Sequence, residues 1–448
     1  MVKYMKHIIL IFLIINVVSA EDWLVETVDS EGDLGDFTHI SVDILNNPHI
    51  TYRQVGVDVK YAKWQGAWLI ETLPFDEAGR WTIDISLDAF DIIPHISYWV
   101  SASNELRHYK RVSTSAWEYD VIENGITVDM SRIVVDKSNN IHVIYSDSSG
   151  NLKYAKGVTV GTSTTWYKES VTTGVSSRTI DLSIDSSKQP HIVFKNINTN
   201  TPMYGFKSGS TWQIGEVNTD TVTSQRVSIA VDRNNTVHIC YQSNNSLRYV
   251  KGTYGSLSSA ENIDSGAGKY ISIAIDNNNI THIAYYDETN KSLKYAKYKS
   301  GTWFTQTVDG GSADVGKDCA IAVGSDGIPQ ISYYDATNKD LKFAKVKTPP
   351  PPDDSISLKL INNVFNPKKG EYMNIQYTLS IPTNIDLKIF NVVGDLVREV
   401  TSGYQLNGNY VERWYGDDTK GNTVPSGMYL VILKSNKYKI VKKAVVVK

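Results

Sequence analysis

Seven times between Thr38 and Lys347 the chain repeats one pattern of four short runs, each with the composition of a β-strand. The sixth copy shows the unit most clearly: Ser272-Ile-Ala-Ile-Asp276, His282-Ile-Ala-Tyr-Tyr286, Leu293-Lys-Tyr-Ala-Lys297 and Trp303-Phe-Thr-Gln-Thr-Val308. The aspartates that end the first runs are Asp43, Asp88, Asp136, Asp185, Asp232 and Asp276, with Gly324 in seventh place, and they are 44 to 49 residues apart. A unit of this length with four strands cannot bury its apolar faces alone, so the copies must stack. The period is that of blades around an axis. The expected fold class is all-β, a seven-bladed β-propeller over residues 21–347.

The size pattern inside the first run agrees with such a ring. Positions one and three before the aspartate are aliphatic in most copies, as in Ile275 and Ile273. The position two before it is small in six copies: Ser41, Ser86, Ser183, Ala230, Ala274 and Ala322, with Val134 the exception. Strands converging on an axis leave room for small side chains on one face and branched ones on the other. The seventh copy stops after Leu341-Lys-Phe-Ala-Lys345, and an orphan fourth run, Trp23-Leu-Val-Glu-Thr-Val28, precedes the first copy. Pairing the two closes the ring and removes a sheet edge. Copy five has no Trp in its fourth run, with Leu257 near that place.

Ahead of the repeats, residues 1–20 read as a secretory signal peptide: Lys3 and Lys6, an apolar run from Ile8 to Val18, and the small-residue ending Val18-Ser19-Ala20. The run is about half the roughly 20 residues that cross a bilayer, so no transmembrane segment is expected after cleavage. The formal charge of −3 conceals an asymmetry: residues 355–448 carry +6 and residues 21–354 carry −11. An acidic propeller is a poor partner for nucleic acid, whose phosphates require clustered cations. Cys240 and Cys319 fall in different blades and are expected to be free. No feature indicates a cofactor, and a monomer is expected.

Six histidines, His49, His95, His142, His191, His238 and His282, share one register, and Gln330 takes the seventh place. Metal ligands must converge within about 2.0–2.1 Å of one ion, and one His per blade does not converge. The expected role is hydrogen bonding within each blade, with no metal site. The hairpins after the aspartates, such as Asp232-Arg-Asn-Asn-Thr236, have the Asp and Asn composition of tight turns.

Function is sought where the copies differ. Four residues before the aspartate stand His39, Asp84, Arg132, Asp181, Ser228, Ser272 and Ala320; the first four are titratable or charged. Beside His39 and Arg132, the carboxylates Asp84 and Asp181 suit either sugar positioning or acid and base chemistry at the channel mouth, or an ion-pair network plugging it. A ring of basic residues enters the inner strands at Arg80, Arg178, Arg226, Lys269 and Lys317; it suits an anionic polysaccharide, or pairs with Asp264, Asp309 and Asp314. Phe37, Trp81 and Tyr270 on the same loops can stack on sugar rings or cover the core. The sialidase Asp-box, His-Glu-x-x-His, Gly-x-Ser-x-Gly, Walker and EF-hand motifs do not occur. The expected function is a noncatalytic carbohydrate- or protein-binding adhesion module. A polysaccharide hydrolase or lyase using Asp84, Asp181, His39 and Arg132 is one alternative, and a structural surface component another.

After the spacer at residues 348–354, rich in proline, residues 355–448 show strand signals separated by Gly-Asp turns, as expected of a small antiparallel immunoglobulin-like sandwich. Asn366-Pro367, Leu387-Lys-Ile-Phe-Asn391, Gly394-Asp-Leu-Val397, Trp414-Tyr-Gly-Asp417, Gly421-Asn-Thr-Val424, Ser426-Gly-Met-Tyr429 and the Lys442–Lys448 ending resemble the C-terminal sorting domains of type IX secretion cargo and the immunoglobulin-like domain of the flagellar hook-capping protein. Tyr415 stands where that family often has Asp. The resemblance implies a bacterial protein, secreted or at the cell surface, whose tail engages the outer-membrane secretion machinery. It carries over no catalytic residue.

Overall fold

The computed structural model describes residues 20–43, 46–54, 59–74, 83–88, 93–113, 116–160, 163–299, 301–347, 356–435 and 438–448. The signal-like segment before Ala20, the spacer at 348–354, Arg80 and Trp81 lie outside the described residues. The chain divides into two compact units, Met1–Lys347 and Thr348–Lys448.

In the first unit the strands form seven antiparallel sheets, numbered here as blades in the order of their inner strands. These inner strands are Leu34–Val42, Asp84–Leu87, Val128–Val135, Val175–Ile184, Val222–Val231, Lys269–Ile275 and Val315–Val323. Each neighbours the next, and the seventh packs against the first, so the sheets form a closed ring, a β-propeller. Blade 7 is completed by Trp23–Asp29, which pairs antiparallel with Asp340–Val346 from Trp23 opposite Val346 to Thr27 opposite Lys342. Blade 5 splits its outer strand into Ser256–Leu257 and Glu261–Ser265, both paired with Ser246–Thr253.

Three repeated contacts hold the ring together. First, an outer-strand aromatic of each blade meets the third strand of the blade before it. Trp23 meets Tyr295 at 5.0 Å, Trp68 meets Phe343 at 5.2 Å, Trp117 meets Tyr61 at 5.5 Å, Trp212 meets Tyr154 at 5.5 Å and Trp303 meets Tyr249 at 4.8 Å, all edge-on. Trp166 does the same on His108. In blade 5 Leu257 stands at the register of the Trp, opposite Gly252, and the ring contact with the blade before it is made by Tyr254, 5.1 Å from Phe206. Each such pair contributes about 0.5–1.5 kcal/mol beyond the area it buries.

Second, several inner strands accept a backbone N–H of the next blade on a side chain. Ser86 Oγ accepts from Val135 and Ser183 Oγ from Val231, both at 3.1 Å. The small residues of the size pattern therefore also join blades. Third, carboxylates ending outer strands clasp a Tyr and a basic residue of the following blade: Asp29 with Tyr52 and Lys60, Asp220 with Tyr241 and Arg248, Asp264 with Tyr285 and Lys294, Asp309 with Tyr333 and Lys342. Asp264 and Asp309, which the sequence reading paired with the ring of basic residues, are engaged in this way instead.

The histidines are scaffold. Nδ1 of His49, His142, His191, His238 and His282 lies 2.6–2.8 Å from a tyrosine hydroxyl of the third strand. Nε2 faces the hairpin aspartate, at 3.4 Å for Asp43 and 3.3 Å for Asp136. Burial holds these imidazoles below their ordinary pKa, His49 at about 4, so they are neutral at pH 7. His95 pairs with His108 at 2.8 Å, and Gln330 donates to the Asn46 carbonyl of the neighbouring hairpin at 3.1 Å.

The second unit is a sandwich of a three-stranded and a five-stranded sheet. Alternate residues of Met373–Leu379 point inward and meet Leu387, Ile389, Val431 and Leu433 of the opposing sheet around fully buried Trp414. Trp414 Nε1 donates to the Asp417 carbonyl at 2.8 Å, which ties the Trp-Tyr-Gly-Asp turn to the core. One pairing departs from the antiparallel expectation: Val364–Phe365 runs parallel to Lys439–Val446.

Candidate functional site

The four residues singled out where the copies disagree meet as two pairs inside the ring. His39 Nδ1 lies 3.1 Å from Asp84 Oδ1, and Arg132 Nε lies 3.5 Å from Asp181 Oδ1. The other oxygens join blades: Asp84 Oδ2 accepts the Ile133 N–H at 2.8 Å, and Asp181 Oδ2 accepts Ile229 N–H at 2.9 Å and Ser228 Oγ at 2.7 Å. The small members of the register do the same work, Ser228 for Ile273 N–H at 3.3 Å and Ser272 for Ile321 N–H at 3.1 Å. Burial, reinforced by Arg132, lowers His39 to about 4, leaving a neutral imidazole. Burial opposes ionisation of both carboxyls. At Asp84 the contacts to His39, Arg132 and Ile133 outweigh it and lower the pKa; at Asp181 burial wins over Arg132 and the pKa is raised.

A second cluster lies where the chain enters the inner strands of blades 5, 6, 7 and 1. In blades 1, 6 and 7 the strand is broken by a register shift, between Asp36 and His39, Lys269 and Ser272, and Lys317 and Ala320. At the centre of each shift a residue with a side chain takes a left-handed backbone: Phe37 at φ 54°, Tyr270 at 51° and Asp318 at 49°. Two residues earlier stands Gly35, Gly268 or Gly316. A Cβ there would sit 3.0, 3.2 or 2.6 Å from the Cα of Leu341, Leu247 or Leu293 of the preceding blade. The close approach requires glycine. Backbone of this kind in bulky residues costs about 1–3 kcal/mol each and collects at functional sites.

These side chains form one network. Arg226 of blade 5 reaches past blade 6 to Asp318 of blade 7, Nη2 to Oδ1 at 3.0 Å, and also donates to the Cys319 carbonyl at 3.3 Å. Arg53 binds Asp36 at 2.8 Å and lies 5.5 Å above the Phe37 ring; Arg226 lies 5.9 Å from the Tyr270 ring. The Asp36 and Asp318 carboxyls are near enough for each to act on the ionisation of the other. Burial first, then the facing Asp318 charge, pushes Asp36 up to about 7 against the pull of Arg53, and burial also raises Asp318. Two carboxyls this close cannot both ionise readily, so the pair holds a proton near neutrality.

Of the basic ring read from the sequence, Arg226 and Tyr270 belong to this network. Lys317 pairs with Asp314 at 2.7 Å and Lys269 with Glu288 at 2.5 Å, both on the rim, and Arg178 sits at the entry of blade 4 with a left-handed backbone, φ 65°. Asp36, Asp318 and Arg53 were not singled out by the sequence reading. The available signal was Gly-x-Phe, Gly-x-Tyr and Gly-x-Asp at one register of copies one, six and seven. Among the described residues, no group of three or more His, Cys, Asp or Glu side chains is placed to hold a metal ion. Cys240 and Cys319 are buried and unbridged.

Fold and site together define an all-β protein in which a propeller with a buried network of charged groups at its inner strands precedes a small sandwich. The sandwich identifies its destination: residues 365–447 match the family of secretion system C-terminal sorting domains. The protein is therefore secreted or displayed at the cell surface, and no helix among the described residues is long and apolar enough to cross a membrane. No curated protein matches the chain. Among solved structures, AofleA from Arthrobotrys oligospora is similar at 12% identity, TM-score 0.47, over 65% of this chain and 91% of that one. PorZ, a surface component of the type IX secretion system of Porphyromonas gingivalis, is similar at 15% identity, TM-score 0.47, over 92% of this chain and 60% of that one. The six-bladed lectin of Aleuria aurantia is similar at 13% identity, TM-score 0.45, over 61% and 96%. Similarity of this order says nothing about a ligand.

Proposed function

We propose that the protein is an exported, noncatalytic glycan-binding module that takes a sugar at the mouth built by Phe37, Tyr270, Arg226, Arg53, Asp36 and Asp318, and that its tail engages the outer-membrane secretion machinery. The observation that carries this reading is the left-handed backbone at Phe37, Tyr270 and Asp318. Three adjoining blades bear the same strain at the same register, and it sets the half-buried Phe37 and Tyr270 rings, each packed on the core and each beside an arginine, next to charged groups able to accept from and donate to sugar hydroxyls. Asp84 and Asp181 support this indirectly, because every carboxylate oxygen there is already engaged by another blade or by an ion pair.

A hydrolase or lyase is the second reading, favoured by the opposite directions in which Asp84 and Asp181 are shifted. A glycan array probed with the full mature chain, run beside a reducing-end assay on the glycans that bind, separates the two. Binding lost in Tyr270→Ala with no reducing ends released supports the module. Release that disappears in Asp84→Asn supports the enzyme and overturns the proposal.

A further inference from the structure

Between blades 3 and 4, away from the mouth, a cleft of about 260 Å³ is lined by Lys156, Lys168, Lys188 and Lys207, with Tyr167 and Glu169. Four lysines in one cleft stand out in a unit whose residues 21–347 carry −9. Two are neutralised: Lys207 binds Glu169 at 2.6 Å, and Lys168 binds Glu123 at 3.1 Å. The other two have no carboxylate partner among the described residues: Lys188 Nζ donates to the Ser138 hydroxyl at 2.5 Å, and Lys156 enters no ion pair there.

The repeat shows which of these lysines are out of place. Lys188 occupies the left-handed corner of its hairpin, φ 65°, where the other described copies have Asn46, Asn139, Asn235, Asn279 or Gly327. Asn and Gly take this conformation at little cost, whereas a lysine takes it at about 1 kcal/mol or more. Lys168 stands in an outer-strand position that is Ile70, Tyr119, Ile214, Thr305 or Val25 elsewhere, so this junction alone adds a cation there. Beside them Tyr167 is 62% exposed and bears no burden in the core.

We infer that this cleft is a second binding site, specific for the anionic groups, carboxylate or sulfate, of an acidic polysaccharide, with Lys156 and Lys188 as the charge partners and Tyr167 as a platform for the sugar ring. The site is independent of the mouth. A strand bearing regularly spaced negative charges replaces the missing counter-ions of Lys156 and Lys188, and the acidic surroundings limit binding to the cleft itself.

The test is affinity electrophoresis of the full mature chain in gels containing polygalacturonate, dextran sulfate or unmodified dextran, at low and at moderate salt. Retardation by one or both anionic polymers, weakened by salt and absent with dextran, is expected, and the two anionic arms tell carboxylate from sulfate. Lys156→Ala with Lys188→Asn lowers the affinity about tenfold, while the second change restores the residue of the repeat and leaves the fold intact. Lys63→Ala, the equivalent of Lys156 in blade 1, leaves retardation unchanged. Absence of retardation by both anionic polymers overturns the inference, as does an equal loss in Lys63→Ala.

Discussion

The shared proton at the mouth makes stability depend on pH in an unusual direction. Asp36 titrates at about 7 in the folded protein against an ordinary 3.8, so its ionised form is disfavoured by the fold. For an acid whose folded pKa is raised, the stabilising state is the protonated one. Its contribution is complete below the unfolded pKa and is lost as pH rises from about 4 through 7. At about 1.4 kcal/mol per pKa step, the gap corresponds to a loss of up to about 4 kcal/mol between pH 4 and pH 8. Asp36→Asn mimics the protonated acid and removes this dependence. It also removes one partner of Arg53, whose side chain is 18% exposed, at a cost of roughly 1 kcal/mol. The variant should therefore be more stable than the wild type at pH 8, by about 1–3 kcal/mol, and close to it at pH 5. Chemical denaturation at the two pH values measures both. If wild type and variant show the same pH dependence, or the variant is the weaker at pH 8, the two carboxyls do not share a proton and the account of the mouth fails.

Other outcomes follow from the ring. Deleting residues 21–29 strips blade 7 of its outer strand, the Trp23–Tyr295 contact and the Glu26 acceptor of Trp68; Tm should fall by about 5–10 °C, and an unchanged melt would falsify closure by this strand. Gly316→Ala forces a Cβ to within 2.6 Å of Leu293 Cα at φ 99° and should cost about 2–4 kcal/mol, read as a shift of the denaturation midpoint. His142→Ala abandons the Tyr154 hydroxyl and Asp136 and should cost about 2–4 kcal/mol, whereas EDTA should leave the wild-type Tm alone; a chelator-sensitive melt would point to an ion in place of the Asp–His–Tyr chain.

What the sequence disclosed and what it hid divide along a physical line. The histidine register was legible because its chemistry is local: Asp136, His142 and Tyr154 lie in one blade at fixed spacing and recur in neighbouring copies. The blade-to-blade aromatic contacts were legible through Trp, except in blade 5, where Tyr254 reaches Phe206 from a different chain position than Leu257. The mouth was only half visible. Arg226 and Tyr270 drew notice as charge and ring, but Arg226 finds Asp318 two blades away, a partner 92 residues distant that no periodicity announces. Asp36 and Asp318 sit one residue apart in register, so a search along a single register misses them as a pair. The lysines of the cleft between blades 3 and 4 were passed over because three come from different strands and the fourth, Lys188, from a hairpin, and only packing collects them.

The strand Trp23–Asp29 has a consequence for the order of events. It leaves the ribosome before the other strands of the ring, yet its partner Asp340–Val346 lies more than 300 residues later. Pairing over that separation carries the largest loop-closure cost in the unit and is the part of folding with the highest contact order. Until the last blade emerges, the growing stack keeps two open ends, one of them lacking its outer strand. The ring is thus a completeness check: a truncated or stalled chain has nothing to latch, and only a full set of blades yields a propeller without an exposed edge.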